Sequence, residues 1–84
     1  MWLTKHARER MVEREISEEE VFAIFADSNF ISYDSNKDKT VVAVIGKVGE
    51  RILVAIYNTA TKGIITVRTA NRKERKMYDI RFEL

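Results

Sequence analysis

Apolar residues recur along the first part of this chain at three- and four-residue steps, and beyond position 40 they gather into short dense runs. Leu3, Ala7 and Met11 stand at i, i+4 and i+8, one row of a helix, and predict a first helix over about Thr4 to Glu15. A second helix is signalled more strongly. Ser17 followed by Glu20 forms a capping box, and Ile16 with Val21 forms the hydrophobic staple around it. Val21, Ile24 and Phe25 supply its buried stripe, and Asp27, Ser28 and Asn29 end it.

The pattern then changes to that of strands. Phe30 to Tyr33 alternates and is short, as an edge strand would be. Thr40 to Ile45 and Ile52 to Tyr57 flank Gly46, Lys47, Val48 and Gly49, a hairpin loop by length and composition. Ile52 to Ile56 is apolar on both faces, which predicts a central strand. Gly63 opens a last strand over Ile64 to Arg68. Asn71 with Glu74 is a second capping box, starting a helix that runs to about Ile80. The order α-α-β-β-β-β-α predicts an α+β fold: two N-terminal helices, an antiparallel sheet of three to four strands and a C-terminal helix.

Eighty-four residues suffice for one domain. By area scaling roughly 64% of the unfolded surface is buried, so a thin two-layer core is the limit. There is no cysteine and no proline, hence no disulfide, thiolate metal site or cysteine nucleophile, which suits a reducing cytoplasm. The opening has no apolar run of signal-peptide type, and no run is long enough to cross a membrane. With one histidine and no cysteine, neither a metal nor another cofactor is expected. There is no glycine-rich phosphate loop and no nucleophile motif.

A formal net charge of +2 hides an asymmetry. Glu18, Glu19, Glu20, Asp27, Asp34 and Asp38 outnumber Lys37 and Lys39 between residues 16 and 40. Between residues 60 and 84, Lys62, Arg68, Arg72, Lys73, Arg75, Lys76 and Arg81 outnumber Glu74, Asp79 and Glu83. The densest stretch is Arg72, Lys73, Glu74, Arg75, Lys76, in the opening turns of the last helix. The helix dipole disfavours cations there. Either the face is simply solvated, or an anion meets it: a nucleic-acid phosphate or an acidic partner.

Arg68 ends a strand just before this helix, where it can share a phosphate with Arg72 and with Lys73 or Arg75. Tyr78 follows Glu74 by one turn, so the two can supply an acid and a base; a core-edge tyrosine is the plainer role. Tyr33 and Tyr57 fall in the sheet. His6, Arg10 and Arg14 form one row on the first helix, on the shoulder of its apolar stripe, while Lys5, Glu9 and Glu13 take the exposed side. Two arginines one turn apart repel unless an anion lies between them. A carboxylate of the acidic second helix would serve, and so would a phosphate. RNA carries its own nucleophile, the 2′-hydroxyl, so arginines with a histidine or glutamate and a tyrosine suffice for metal-free cleavage.

The stretch I-I-T-V-R-T-A-N-R-K-E-R-K-M-Y-D, Ile64 to Asp79, resembles the C-terminal signature of BrnT-type toxins. I-S-E-E-E-V-F-A-I-F-A-D is similar to that family's second-helix segment, and G-E-R-I-L-V-A-I-Y to its central strand. The opening H-A-R-E-R-M-V-E-R-E-I-S is closer to a related group of uncharacterised small bacterial domains that begin H-A-x-x-R-M-x-x-R, and it lacks the Trp-Asp style opening of BrnT. The resemblance implies the RelE-like toxin fold, metal-independent endoribonuclease activity, inhibition by a co-encoded antitoxin, and a bacterial or archaeal cytoplasm. Arg68, Arg72, Glu74 and Tyr78 match the toxin signature; His6, Arg10 and Arg14 match the uncharacterised group.

On that reading Arg68 and Arg72 hold the scissile phosphate, His6 or Glu74 transfers the proton, and Tyr78 and Arg10 position. Arg10, Lys73, Arg75 and Lys76 also bind RNA phosphates, and Arg14 is structural. The partners expected are RNA and the antitoxin protein. The rival is a non-catalytic domain on the same fold that binds nucleic acid or an acidic partner. Convergence of His6, Arg10, Arg68 and Arg72 in one cleft favours the enzyme; their separation favours the rival.

Overall fold

The computed structural model describes residues 1–27, 31–34 and 40–82, so Ser28, Asn29 and Phe30, expected at a helix end and a strand start, lie outside it. The chain runs β1 (Trp2–Leu3), α1 (Lys5–Arg14), α2 (Glu18–Ala26), β2 (Ile31–Asp34), β3 (Val41–Val48), β4 (Arg51–Asn58), β5 (Gly63–Thr69) and α3 (Arg72–Phe82). The fold is α+β, with two N-terminal helices, a sheet and a C-terminal helix, as the sequence pattern predicts.

Local chemistry sets each helix boundary. Thr4 caps α1 by accepting the Ala7 N–H, and its hydroxyl also lies 3.0 Å from the Ile64 carbonyl, tying the helix start to β5. At the other end Glu15 adopts a left-handed backbone, φ 54°. Its N–H reaches the Val12 carbonyl and the Ile16 N–H reaches that of Met11, the paired bonds of a Schellman motif. Ile16 and Met11 share the core, which supplies that motif's usual apolar contact. Both bonds of the Ser17/Glu20 capping box form at the start of α2, and three acids in its first turn complement the dipole.

The sheet order is β1-β5-β4-β3-β2, with β4 central as its apolar run predicts. Strands β2 to β5 pair antiparallel. The sheet differs from expectation at one edge, where β1 pairs parallel to β5 through Trp2↔Gly63 and Leu3↔Ile64. Two residues carry no periodicity, so this strand leaves no sequence signal. The expected four-residue hairpin loop is also shorter. Gly46, Lys47 and Val48 belong to β3, and only Gly49 and Glu50 connect it to β4. Gly49 has a positive φ (62°) as the first loop residue, the requirement of a type II′ connection. Gly46 serves a different purpose: a Cβ there would come within 3.0 Å of Ile24, so its absence lets α2 lie against the sheet.

A bulge at Ile56/Tyr57 shifts the β4–β5 register, so Ala55 opposes Val67 while Tyr57 opposes Ile64. Ile64 and Val67, three residues apart, thereby bury on the same face. That face carries the larger core: Leu3, Ala7, Met11, Ile16, Val21 and Ile24 from the N-terminal segment meet Val44, Leu53, Ala55, Ile64 and Val67. Opposite it, Ala43, Ile45 and Val54 meet Tyr78 of α3. Two helices therefore cover one side of the sheet and one helix the other.

Candidate nucleic-acid interface

The turn from β5 into α3 is built around one carboxylate. Asn71 and Glu74 exchange capping-box bonds: the Asn71 N–H donates to Glu74 (3.0 Å), and the Glu74 N–H donates to the Asn71 side chain (2.8 Å). Glu74 is 1% exposed. It survives there because Arg68 grips it with both guanidinium nitrogens, Nη1 on Oε1 and Nη2 on Oε2, the latter at 2.8 Å. A bidentate pair that also takes a backbone N–H leaves little of the carboxylate unsatisfied. Arg68 and Glu74, expected in different catalytic roles, are thus each other's partners.

With Glu74 turned inward, the outside of α3's opening turns is cationic. Arg72, Lys73, Arg75 and Lys76 are all exposed, and none forms an ion pair among the described residues. They stand at the positive end of the helix dipole, where each is disfavoured by about 0.3–1 kcal/mol at low salt.

Further along α3, Tyr78 is buried, and its hydroxyl lies 3.5 Å from Asp27 Oδ2, which also accepts the Lys47 N–H at 3.0 Å. Among the described residues β2 pairs with β3 from Ile45 to Val42, and Asp27 takes the β3 amide of Lys47. Burial pushes the Tyr78 phenol above its ordinary value of 10.0, and the nearby Asp27 charge adds to the shift. The hydroxyl therefore stays protonated and points at a structural carboxylate.

The α1 row lies elsewhere. Val67 faces the α1/α2 core and its neighbour Arg68, which opposes Val54, faces the other side of the sheet. His6 and Arg10 on α1 are thus separated by the sheet from Arg68 and α3. Arg10 pairs with Glu13 of its own helix, His6 is exposed, and Arg14 donates to the Val67 carbonyl at 2.7 Å. No carboxylate of α2 lies between the two arginines; Arg14 is satisfied by strand backbone, the structural role assigned to it. Of the acids on α2, Glu18 lies 3.9 Å from Arg8 and Glu20 pairs with Arg51.

Arg51 is absent from the residues the sequence pattern singles out, although a charge opening an otherwise apolar strand is a usable signal. It also reaches the Glu15 carbonyl at 3.3 Å, binding the start of β4 to the α1–α2 turn. The Arg51 contact, with help from the Ser17 N–H, holds the Glu20 carboxyl below its ordinary 4.5. Between this corner and the start of α3 opens a cleft of about 500 Å³, lined by Glu50, Arg51, Ile52, Thr69, Ala70 and Arg75.

Residues 3–72 match the model of the domain of unknown function DUF4258. The chain belongs to the DUF4258 family. The match runs from the last residue of β1 through α1, α2 and strands β2 to β5 of this DUF4258 domain, and ends at the first residue of α3. It supports the resemblance of the opening to an uncharacterised group, and its description names neither RelE nor BrnT toxins. No curated protein matches the chain.

Proposed function

We propose that this DUF4258 domain is an RNA-binding module that engages single-stranded RNA along α3. The observation that carries the reading is the set of four exposed cations, Arg72, Lys73, Arg75 and Lys76, which form no ion pair among the described residues and whose only acidic neighbour within the run is consumed by Arg68. A protein that keeps cations where its own helix dipole repels them has a use for them, and phosphates are the anions that a closely spaced row suits. The likeness of Ile64 to Asp79 to RNA-acting BrnT-type toxins favours RNA over an acidic protein.

A ribonuclease toxin with a co-encoded antitoxin is the second reading, supported by the same likeness. It draws less from the geometry, because the sheet separates His6 and Arg10 from Arg68, and Glu74 and Tyr78 already have partners. One experiment weighs the two: fluorescence anisotropy with a labelled single-stranded RNA over a salt series, with RNA integrity followed by gel. If all four cations meet phosphates, log K falls against log salt with a slope of about −2.8. The expected result is intact RNA, and binding that weakens in Arg72→Ala and Lys73→Ala. RNA decay relieved by His6→Ala or Arg68→Ala at equal protein level would replace this reading with the enzyme. Absence of binding even at low salt would remove RNA as the ligand.

A further inference from the structure

The cleft between the β3–β4 hairpin and α3 has a composition that differs from the basic face beside it. Its floor is apolar and half-buried, formed by Ile52 and Ala70. Its rim carries an exposed hydroxyl, Thr69, an exposed cation, Arg75, and an exposed carboxylate, Glu50, next to the positive-φ Gly49 that turns the hairpin. Each wall is fixed by its own ion pair. Arg51 with Glu20 anchors the hairpin side to α2, and Arg68 with Glu74 anchors α3 to β5. The Ala70 N–H donates to the Ile52 carbonyl at 2.8 Å and joins the floor across the two strands. The cleft is thus preformed, which removes an ordering cost from anything that enters it.

We propose that this cleft seats one nucleotide of the bound RNA and reads its base, an assignment that rests on the RNA-binding reading above. Its volume lies within the range of small-ligand sites, roughly 300–1,000 Å³. An apolar floor suits the face of a base, a cation suits the attached phosphate, and a threonine hydroxyl can both donate to and accept from a ribose 2′-hydroxyl. Glu50 supplies the selectivity. An ionised carboxylate only accepts, so it pairs with the exocyclic amine of cytosine or adenine. Uracil presents a carbonyl oxygen at the corresponding place, which a carboxylate repels. Arg51 sits in the same lining but is committed to Glu20, which leaves Arg75 as the cation available to the phosphate.

The test compares oligo(C), oligo(A) and oligo(U) of equal length by anisotropy, with wild type, Glu50→Ala and Arg75→Ala. All three proteins are also melted thermally; both substituted residues are exposed, so the fold is expected to persist. Wild type binds oligo(C) and oligo(A) at least about fivefold tighter than oligo(U), the scale of one hydrogen-bonded discrimination. Glu50→Ala erases that difference, weakening oligo(C) and oligo(A) by loss of the amine contact and strengthening oligo(U) by loss of the repulsion. Arg75→Ala weakens all three and reduces the salt slope by about 0.7, one single-strand phosphate contact. Equal binding of the three polymers by wild type, or a preference that survives Glu50→Ala, overturns the base-reading cleft while leaving RNA binding in place. Failure of every polymer to bind overturns the RNA reading itself.

Discussion

The two faces of the sheet are held by different physics. Under α1 and α2, eleven buried apolar side chains form one continuous cluster, from Leu3 on the edge to Val44 near the far side. Under α3, among the described residues, Ala43, Ile45, Val54 and Tyr78 are buried together with Ile52, Ile56 and Ala70 packed against them, and the helix is fastened by the Arg68–Glu74 pair and the Tyr78–Asp27 contact. Apolar packing is non-directional and indifferent to pH. Ion pairs and buried hydroxyls are specific in geometry and sensitive to conditions. The first face fixes the fold, and the second holds a basic helix in one orientation with most of its outer side left free.

This contrast can be broken from the core outward. Ile24 is fully buried and rests on Gly46, so Ile24→Ala leaves a cavity and should cost about 3–4 kcal/mol by urea unfolding. Arg68→Ala strands a buried carboxylate and should cost about 3 kcal/mol; converting both partners to apolar residues, Arg68→Met with Glu74→Leu, should recover most of that loss. A packing-only account of the α3 face predicts the same loss for the single and the double variant.

Titration separates the faces next. Tyr78 has a raised folded-state pKa, so its contribution is whole below the unfolded value near 10 and is lost as pH rises through the folded one. Stability should decline from about pH 10 upward, and Tyr78→Phe should flatten that limb. Glu20 is depressed, so its contribution holds above the unfolded value near 4.5 and disappears as pH falls through the folded one. Glu20→Gln should flatten the acid limb below about pH 4.5 in the same denaturant series. The smallest effect belongs to the surface. Lys73→Glu removes a cation from the first turn of α3 and should raise stability by several tenths of a kcal/mol at low salt while weakening RNA binding.

The helices were legible because their caps are local: Ser17 with Glu20 and Asn71 with Glu74 each span four residues, and both boxes form. The hairpin loop is shorter than its pattern suggests because Gly46 reads as a turn residue, while its reason lies with Ile24, more than twenty positions away. The basic run was visible, but the destination of Glu74 was not. That depends on how sharply the chain turns between Arg68 and Asn71, which no local pattern encodes. Separation of His6 from Arg68 had a faint signal in strand alternation, since an inward Val67 sends Arg68 to the opposite face. Using that signal requires knowing which side α1 covers, and β1 sets that side through a two-residue pairing without periodicity.

That same short edge gives the molecule an optical reporter. Trp2 is the sole tryptophan, half-exposed, with its indole N–H on the Thr61 carbonyl at 2.9 Å and its ring against Gly63, where a Cβ would lie 2.9 Å from Cζ2. It stands at the opposite end of β5 from α3. Tryptophan emission, excited selectively over tyrosine, therefore follows the docking of the first strand and stays blind to a ligand on the basic helix. A shift in emission on adding RNA would mean that the two ends of β5 communicate.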